Sequence, residues 1–134
     1  MRRSCSPFIA IPTTAGTGSE VTFCSVITDS SLKFKFSIKD PRIAPRVALV
    51  DPEMTLTMPP ELTASTGMDA LTHAIEGFTA NASEPIADSA ALYAIELIVT
   101  YLRTAVADGN NLEARAAMLL GSVLAGIAFS HSDV

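Results

Sequence analysis

The stretch STGMDALTHAIEGF, at Ser65–Phe78, decides how the second half of the chain is interpreted. At about 100° per residue, its small and apolar residues gather on one side of a helix; they are Gly67, Leu71, Ala74, Ile75 and Phe78. The other side carries Asp69 and His73, together with Ser65, Thr66 and Glu76. Because positions i and i+4 are neighbours on a helix surface, the Asp69 carboxylate and the His73 imidazole can point at one object.

Two interpretations of this pair stay open on spacing alone. In one, the polar face is solvated and Asp69 simply pairs with His73. In the other, both side chains are ligands of one divalent metal, because imidazole suits Zn²⁺ and Fe²⁺ and a carboxylate adds a hard anionic ligand. Two ligands do not complete a site, so others would come from elsewhere. His131 is the only other histidine in the 134-residue sequence, and spacing does not show that it reaches the pair.

A second candidate site is the segment PTTAGTGSE at Pro12–Glu20, which follows a short apolar run. Such a loop can bring several backbone N–H groups near a phosphate, with glycines allowing close approach. The dinucleotide-binding pattern GxGxxG is not met, because Gly16 and Gly18 supply its first two glycines but Val21 occupies the third place. A plain turn between strands is the alternative interpretation.

The two halves of the chain predict different secondary structure. Strands are expected at Phe8–Ile11, Val21–Thr28, Lys33–Ile38 and Val47–Val50, from β-branched content and alternation. Helices are expected from Pro60 to about Ala80, from about Pro85 (capped by Ser83) to Ala107, and from a cap at Asn111 to about Phe129. A β-rich piece therefore leads into antiparallel helices near residues 51–60. The chain starts at the edge of a strand and stops just after an apolar helix, which suggests a fragment of a larger protein.

The composition of the chain limits which binding partners and which cellular compartment we expect for the protein. Apolar residues make up 49% of the chain and the net charge is −5, with no basic tract, so we expect no nucleic-acid partner. The longest apolar segment, Ala116–Phe129, is interrupted by Gly121 and Gly126 and is interpreted as a buried helix rather than a membrane span. Cys5 and Cys24 form no CxxC pair, which excludes a zinc ribbon. No signal peptide is recognised, and the expected compartment is the cytoplasm.

Taken together, these segments identify a protein family more specifically than any one of them does alone. The order PTTAGTGSE, ITD, a lysine-containing strand, VALVDP and MPPELTASTGMDALTHAIEGF resembles the iron-containing (group III) alcohol dehydrogenase family, from about Phe8 to Val134. The resemblance implies a dehydroquinate synthase-like two-domain architecture, here truncated. Residues 1–55 would be the C-terminal part of a Rossmann-like α/β domain that binds NAD or NADP. Residues 56–134 would be the N-terminal part of an all-helical metal-binding domain.

The same resemblance implies roles for individual residues. Asp69 and His73 match two metal ligands of the family, with Fe²⁺ as the most common metal and Zn²⁺ as the alternative. The residues that match cofactor contacts are Thr13, Thr14, Thr17 and Lys35. A cation at Lys35 would offset pyrophosphate charge, although this residue could equally be an exposed strand lysine.

Other positions are less definite or absent. Cys24 matches a position near the substrate pocket, or is a small buried hydrophobe. His131 matches no ligand position. The family's two remaining ligands, both histidines, are expected after Val134, and its glycine-rich pyrophosphate loop is expected before Met1.

The implied activity is metal-dependent interconversion of an alcohol or diol and its aldehyde or ketone by hydride transfer to or from NAD(P). The partner would be a small-molecule substrate, with no membrane partner, and the full-length protein could be a homo-oligomer. Two alternatives stay open: a non-catalytic remnant or metal-binding helical module, and a glycerol dehydrogenase-like activity within the superfamily. The choice of substrate, metal and cofactor is not readable from these residues.

Overall fold

The structure is a computed structural model that describes residues 6–82 and 84–132. Its strands are β1 (Ile9–Ala10), β2 (Cys24–Asp29), β3 (Phe34–Lys39) and β4 (Val47–Ala48), and its helices are α1 (Pro60–Thr79), α2 (Pro85–Ala107) and α3 (Leu112–His131). Short 3₁₀ turns lie at Pro41–Ile43 and Pro52–Thr55. All four predicted strands and all three predicted helices are therefore present, with β1, β2 and β4 shorter than expected and β2 beginning at Cys24 instead of Val21. Cys5 and the predicted cap Ser83 lie outside the described residues.

The strands form two separate two-stranded sheets. β1 and β4 pair in parallel, with Ile9 opposite Val47. β2 and β3 form an antiparallel hairpin whose register runs from Cys24 opposite Lys39 to Asp29 opposite Phe34. The Asp29 carboxylate closes the hairpin turn, because it accepts hydrogen bonds from the backbone N–H groups of Ser31 and Leu32 at 2.9 and 3.1 Å.

The helix ends follow local chemistry. Pro60 occupies the first turn of α1, where its missing N–H removes no hydrogen bond. The Asn111 side chain caps α3 by accepting a 3.0 Å hydrogen bond from the Ala114 N–H, as the sequence predicted. α2 ends at Ala107, directly before Asp108 and Gly109. These signals are local, which is why the sequence located the helices well.

The three helices pack on one another through small residues. Fully buried alanines come from each helix, including Ala74, Ala94 and Ala125, and the larger buried side chains are Ile98, Met118 and Leu119. On α1 the wheel groups Ile75 and Phe78 with the small residues, but both are more than 40% exposed and the buried positions are Thr63, Gly67, Ala70, Ala74 and Gly77. Close helix approach explains this difference, since small side chains let the helix backbones come near each other.

A buried arginine joins the ends of this helical layer. Arg115, on α3, is 2% exposed. Its guanidinium donates to the Gly109 carbonyl at 2.9 Å, the Thr63 hydroxyl at 2.8 Å and the Met58 carbonyl at 3.0 Å. Burial lowers the pKa of Arg115 from its ordinary value. The side chain therefore ties the start of α1 to the α2–α3 connection.

Two helices, α2 and α3, are long and apolar enough to cross a membrane by length and composition, with 18-residue windows of mean hydropathy 1.4 and 1.6. More than half of the α3 window is buried against the rest of the protein. The core helix of a soluble protein passes the same test, so this property is weak evidence for a membrane.

Candidate cofactor and metal site

A cavity of about 630 Å³ lies where the residue 13–22 loop, the β2–β3 hairpin and helices α1 and α3 meet. It is lined by Thr17, Ser19, Thr22, Cys24, Val26, Lys35, Asp69, His73 and Phe129. Four of the residues predicted from the sequence, Thr17, Lys35, Asp69 and His73, are thus brought together from three segments of the chain. Thr13 and Thr14, predicted with them, lie in the same loop but do not line this cavity.

The Asp69 carboxylate and the His73 imidazole face the same space without a direct hydrogen bond. His73 Nε2 and Asp69 Oδ1 are 4.0 Å apart, beyond the range of about 2.7–3.2 Å for a hydrogen bond. Ligand bonds of about 2.0–2.2 Å at a tetrahedral angle hold two donor atoms about 3.4 Å apart, so the two side chains would have to approach each other slightly to bind one ion. Imidazole and carboxylate are the types of donor that a divalent metal accepts. Within residues 6–82 and 84–132 no third acidic, histidine or cysteine side chain joins them.

The His73 ring is held from α3. Its Nδ1 is buried and has no hydrogen-bond partner within the part of the chain that the structure describes, and Nε2 is the nitrogen on the Asp69 side. The Phe129 ring stacks on the imidazole, with centroids 5.2 Å apart and planes 29° from parallel. Histidine ligands are usually oriented by a hydrogen bond from the second ring nitrogen. Here aromatic stacking supplies the orientation, and sequence reasoning missed Phe129 because no local pattern links it to α1.

The loop reaches the helices through its glycines. A Cβ built at Gly16 would lie 2.8 Å from the Thr66 Cβ on α1, and one built at Gly18 would lie 2.8 Å from the Gly126 Cα on α3. Gly18 also has a φ of +58°, which side chains rarely adopt. Thr17, between them, is exposed and its hydroxyl donates to the Ser19 Oγ at 3.2 Å. At both glycines, the side on which a side chain would stand is thus packed against a helix.

The hairpin presents one face to the cavity. In the antiparallel register Thr28 is opposite Lys35 and Val26 is opposite Ser37, so Cys24, Val26 and Lys35 share a face. All three line the cavity. Lys35 is an exposed strand lysine that also lines the cavity, and its contact with a cofactor stays a prediction. Cys24 is half-buried.

A buried carboxyl lies just behind the loop. Glu20 is 4% exposed, and its Oε1 has no hydrogen-bond partner among the described residues. Burial raises the pKa of Glu20, and a backbone hydrogen bond within the residue opposes this in part. The neutral form is therefore favoured relative to a carboxyl in water. No sequence pattern indicated that this glutamate is buried.

Comparison with protein families gives two matches that together cover most of the chain. Residues 63–134 match the Fe-containing alcohol dehydrogenase family, C-terminal. Residues 1–52 match iron-containing alcohol dehydrogenase. The second match contains Thr17 and Lys35, and the first contains Asp69, His73 and Phe129, so the cavity draws on both.

Individual relatives agree with these matches. The NAD-dependent methanol dehydrogenase of Bacillus methanolicus is 50% identical over 96% of this chain and 34% of its own length. The 1,3-propanediol dehydrogenase of Klebsiella pneumoniae is 48% identical over 96% of this chain and 33% of its own. A solved sulfoacetaldehyde reductase from Bifidobacterium kashiwanohense, in complex with NAD⁺, is 52% identical with a TM-score of 0.92, over 94% of this chain and 34% of the other. The chain spans about a third of the length of these relatives.

Proposed function

Because the chain belongs to the iron-containing alcohol dehydrogenase family, we propose that it forms the central part of a metal-dependent, NAD(P)-linked alcohol dehydrogenase. The reaction interconverts an alcohol or diol and its aldehyde or ketone by hydride transfer. Residues 1–55 belong in this proposal to the cofactor-binding domain and residues 56–134 to the helical metal-binding domain. The remaining metal ligands and cofactor contacts are assigned to residues outside those described.

One observation supports the proposal: the carboxylate of Asp69, the imidazole of His73, and the side chains of Thr17 and Lys35 line the same cavity. Asp69 and His73, 4.0 Å apart, would hold a divalent metal, Fe²⁺ or else Zn²⁺, whose chemistry when bound is to polarise the alcohol oxygen. Helix α1 fixes both donors on one face, and Phe129 fixes the imidazole plane. Little reorganisation is then needed for binding, which favours both affinity and alignment.

The opposite wall of the cavity would hold the cofactor. Lys35 places an ammonium group on the hairpin face, where it can offset phosphate charge. The Thr17 hydroxyl can donate to or accept from a ribose or amide group, and Thr13 and Thr14 extend the same loop. Hydride transfer needs the carbon atom that gives the hydride and the carbon atom that accepts it to be aligned and in contact. A cavity that holds substrate and cofactor at a fixed separation would provide this alignment.

The relatives indicate a general class of substrate and no single compound. Proteins named for methanol and for 1,3-propanediol share about half of their aligned residues with this chain. We therefore propose a small alcohol or diol as the substrate, a cytoplasmic protein, and a homo-oligomeric assembly of the full-length form.

The first prediction tests the metal pair in the protein as its gene encodes it. Asp69→Asn and His73→Gln should each lose most of the bound metal and more than about 100-fold in kcat/KM, since even partners behind a ligand cost 10–100-fold. Metal content is measured by elemental analysis, and activity by NAD(P)H absorbance with short alcohols and diols.

Glu76→Gln is the matched control, because Glu76 lies on the same helix, is exposed and does not line the cavity. It should keep both metal and activity. Full metal occupancy in the Asp69→Asn and His73→Gln variants would contradict the proposed function, as would the absence of NAD(P)-linked alcohol oxidation in the wild-type protein.

A further inference from the structure

We propose that Gly16 and Gly18 are positioning residues that set Thr17 against the Asp69–His73 pair, by docking the loop onto α1 and α3. This inference rests on the proposed function for its catalytic meaning, but the docking itself stands on geometry. The glycines would act through helix contact instead of through contact with a phosphate.

The contact with α3 is made by two glycine backbones. A Cβ at Gly18 would lie 2.8 Å from the Gly126 Cα and 2.9 Å from the Ser122 carbonyl oxygen. From the other side, a Cβ at Gly126 would lie 3.0 Å from both the Cα and the carbonyl oxygen of Gly18. These neighbours are backbone atoms, which cannot rotate away as a flexible side chain can. Any side chain at either position must therefore push the loop off the helix.

The contact with α1 is similar. A Cβ at Gly16 would lie 2.8 Å from the Thr66 Cβ, 3.0 Å from its carbonyl oxygen and 3.2 Å from its Cα. Gly16 and Gly18 are both buried, whereas Thr17 between them is exposed and lines the cavity. The loop is thus fixed on both sides of the one residue that it presents to the site.

Each docking point lies one helical turn from a site residue. Thr66 precedes Asp69 by three positions on α1, and Gly126 precedes Phe129 by three positions on α3. Residues three apart lie on the same face of a helix. The loop therefore contacts α1 next to the metal ligand, and contacts α3 next to the ring that stacks on His73. Displacing the loop changes the separation between Thr17 and the metal pair.

The second prediction compares Gly126→Ala with Gly121→Ala in the protein as its gene encodes it, loaded with metal. Both replace a buried glycine in α3, so both gain the same helix propensity of about 1 kcal/mol. At Gly121 the added Cβ would meet the side chain of Ile98 at 2.9 Å, on the α2 side and away from the loop. The pair therefore separates general overpacking of α3 from displacement of the loop.

We expect Gly126→Ala to lower kcat/KM for the cofactor by about 10–100-fold, because misplacement by about 1 Å costs this order of magnitude. Metal content should stay unchanged. By hydrogen exchange and mass spectrometry, the amides of residues 16–21 should exchange at least ten-fold faster than in the wild type. Gly121→Ala should show neither change. Equal effects of the two variants, or no effect of Gly126→Ala, would overturn the proposal.

If Gly126→Ala fails to fold, the wild-type protein still decides the docking. The Val21 amide, which donates to the Gly18 carbonyl oxygen at 3.1 Å, should then be protected from exchange, and exchange of this amide at the rate of an unfolded chain would refute the docking. A wild-type protein without dehydrogenase activity would reject the proposed function alone, because the exchange contrast between the two variants does not depend on activity.

Discussion

The helical layer and the strand part of this protein are held together in different ways. In the helices, the buried positions are mostly alanines and glycines that let the backbones approach, with Arg115 joining the ends. The hairpin, by contrast, is exposed along all of β3, and Leu32 at its turn is 74% exposed. The helices therefore share a core of their own, whereas the strand part reaches that core through its glycine loop. We therefore expect the helices to contribute more than the strands to the stability of the fold.

The largest expected effect comes from one substitution made in both regions. Leu119→Ala, at a residue 1% exposed in the helical core, should lower the free energy of unfolding by about 2–5 kcal/mol. Leu32→Ala, in the hairpin turn, should change it by less than about 0.5 kcal/mol. Urea unfolding followed by the helical circular dichroism signal measures both. Similar losses in the two variants would show that the hairpin is as much a part of the core as α3.

A slightly smaller effect is expected for Arg115→Met, which keeps the approximate volume but removes the guanidinium. The carbonyls of Met58 and Gly109 and the hydroxyl of Thr63 lose their donor. Since an unsatisfied buried polar group costs about 1–3 kcal/mol, we expect a loss of about 2–4 kcal/mol after partial relaxation. Arg103→Met, at an exposed position of α2, is the control and should stay near wild type. An unchanged midpoint of urea unfolding for Arg115→Met would mean that this arginine does not stabilise the packing of the helices.

The smallest effect is expected where the two regions meet, at Glu20, and it depends on pH. Burial raises the pKa of this carboxyl above its ordinary value of 4.5. The folded protein therefore binds the proton more tightly than the unfolded chain, so this contribution to stability is complete below pH 4.5 and is lost as pH rises through the folded pKa. The Glu20→Gln variant has no carboxyl to ionise, so it should not lose this stability as the pH rises. The difference in stability between the variant and the wild type should therefore change in favour of the variant with increasing pH.

Thermal unfolding of both proteins from pH 4 to pH 8 measures the difference. Glu61→Gln, at an exposed position in the first turn of α1, serves as the control. Its unfolding temperature should change with pH in the same way as that of the wild type. A constant offset between Glu20→Gln and wild type at every pH would show that folding does not shift the pKa of Glu20.

The features predicted from the sequence are those with local causes. Pro60 and the Asn111 cap located two helix starts, β-branched content and alternation located the two hairpin strands, and i,i+4 spacing placed Asp69 beside His73. Contacts between distant segments could not be read in this way. The partners of Gly16 and Gly18, and the stacking of Phe129 on His73, depend on how helices meet in space. The exposure of Ile75 and Phe78 has the same origin, because the packing of α2 and α3 together decides which part of α1 is covered.

The Gly18–Gly126 contact also has a consequence for the order of folding. It joins two points near opposite ends of the sequence, and closing such a long loop costs entropy before any contact compensates for it. The hairpin and the antiparallel helices need only neighbouring segments, so they can form early. The cavity, which draws on residues from Thr17 to Phe129, would then be completed last, when the loop reaches α3. A nascent or partly unfolded chain would in that case hold its helices well before the cavity is formed.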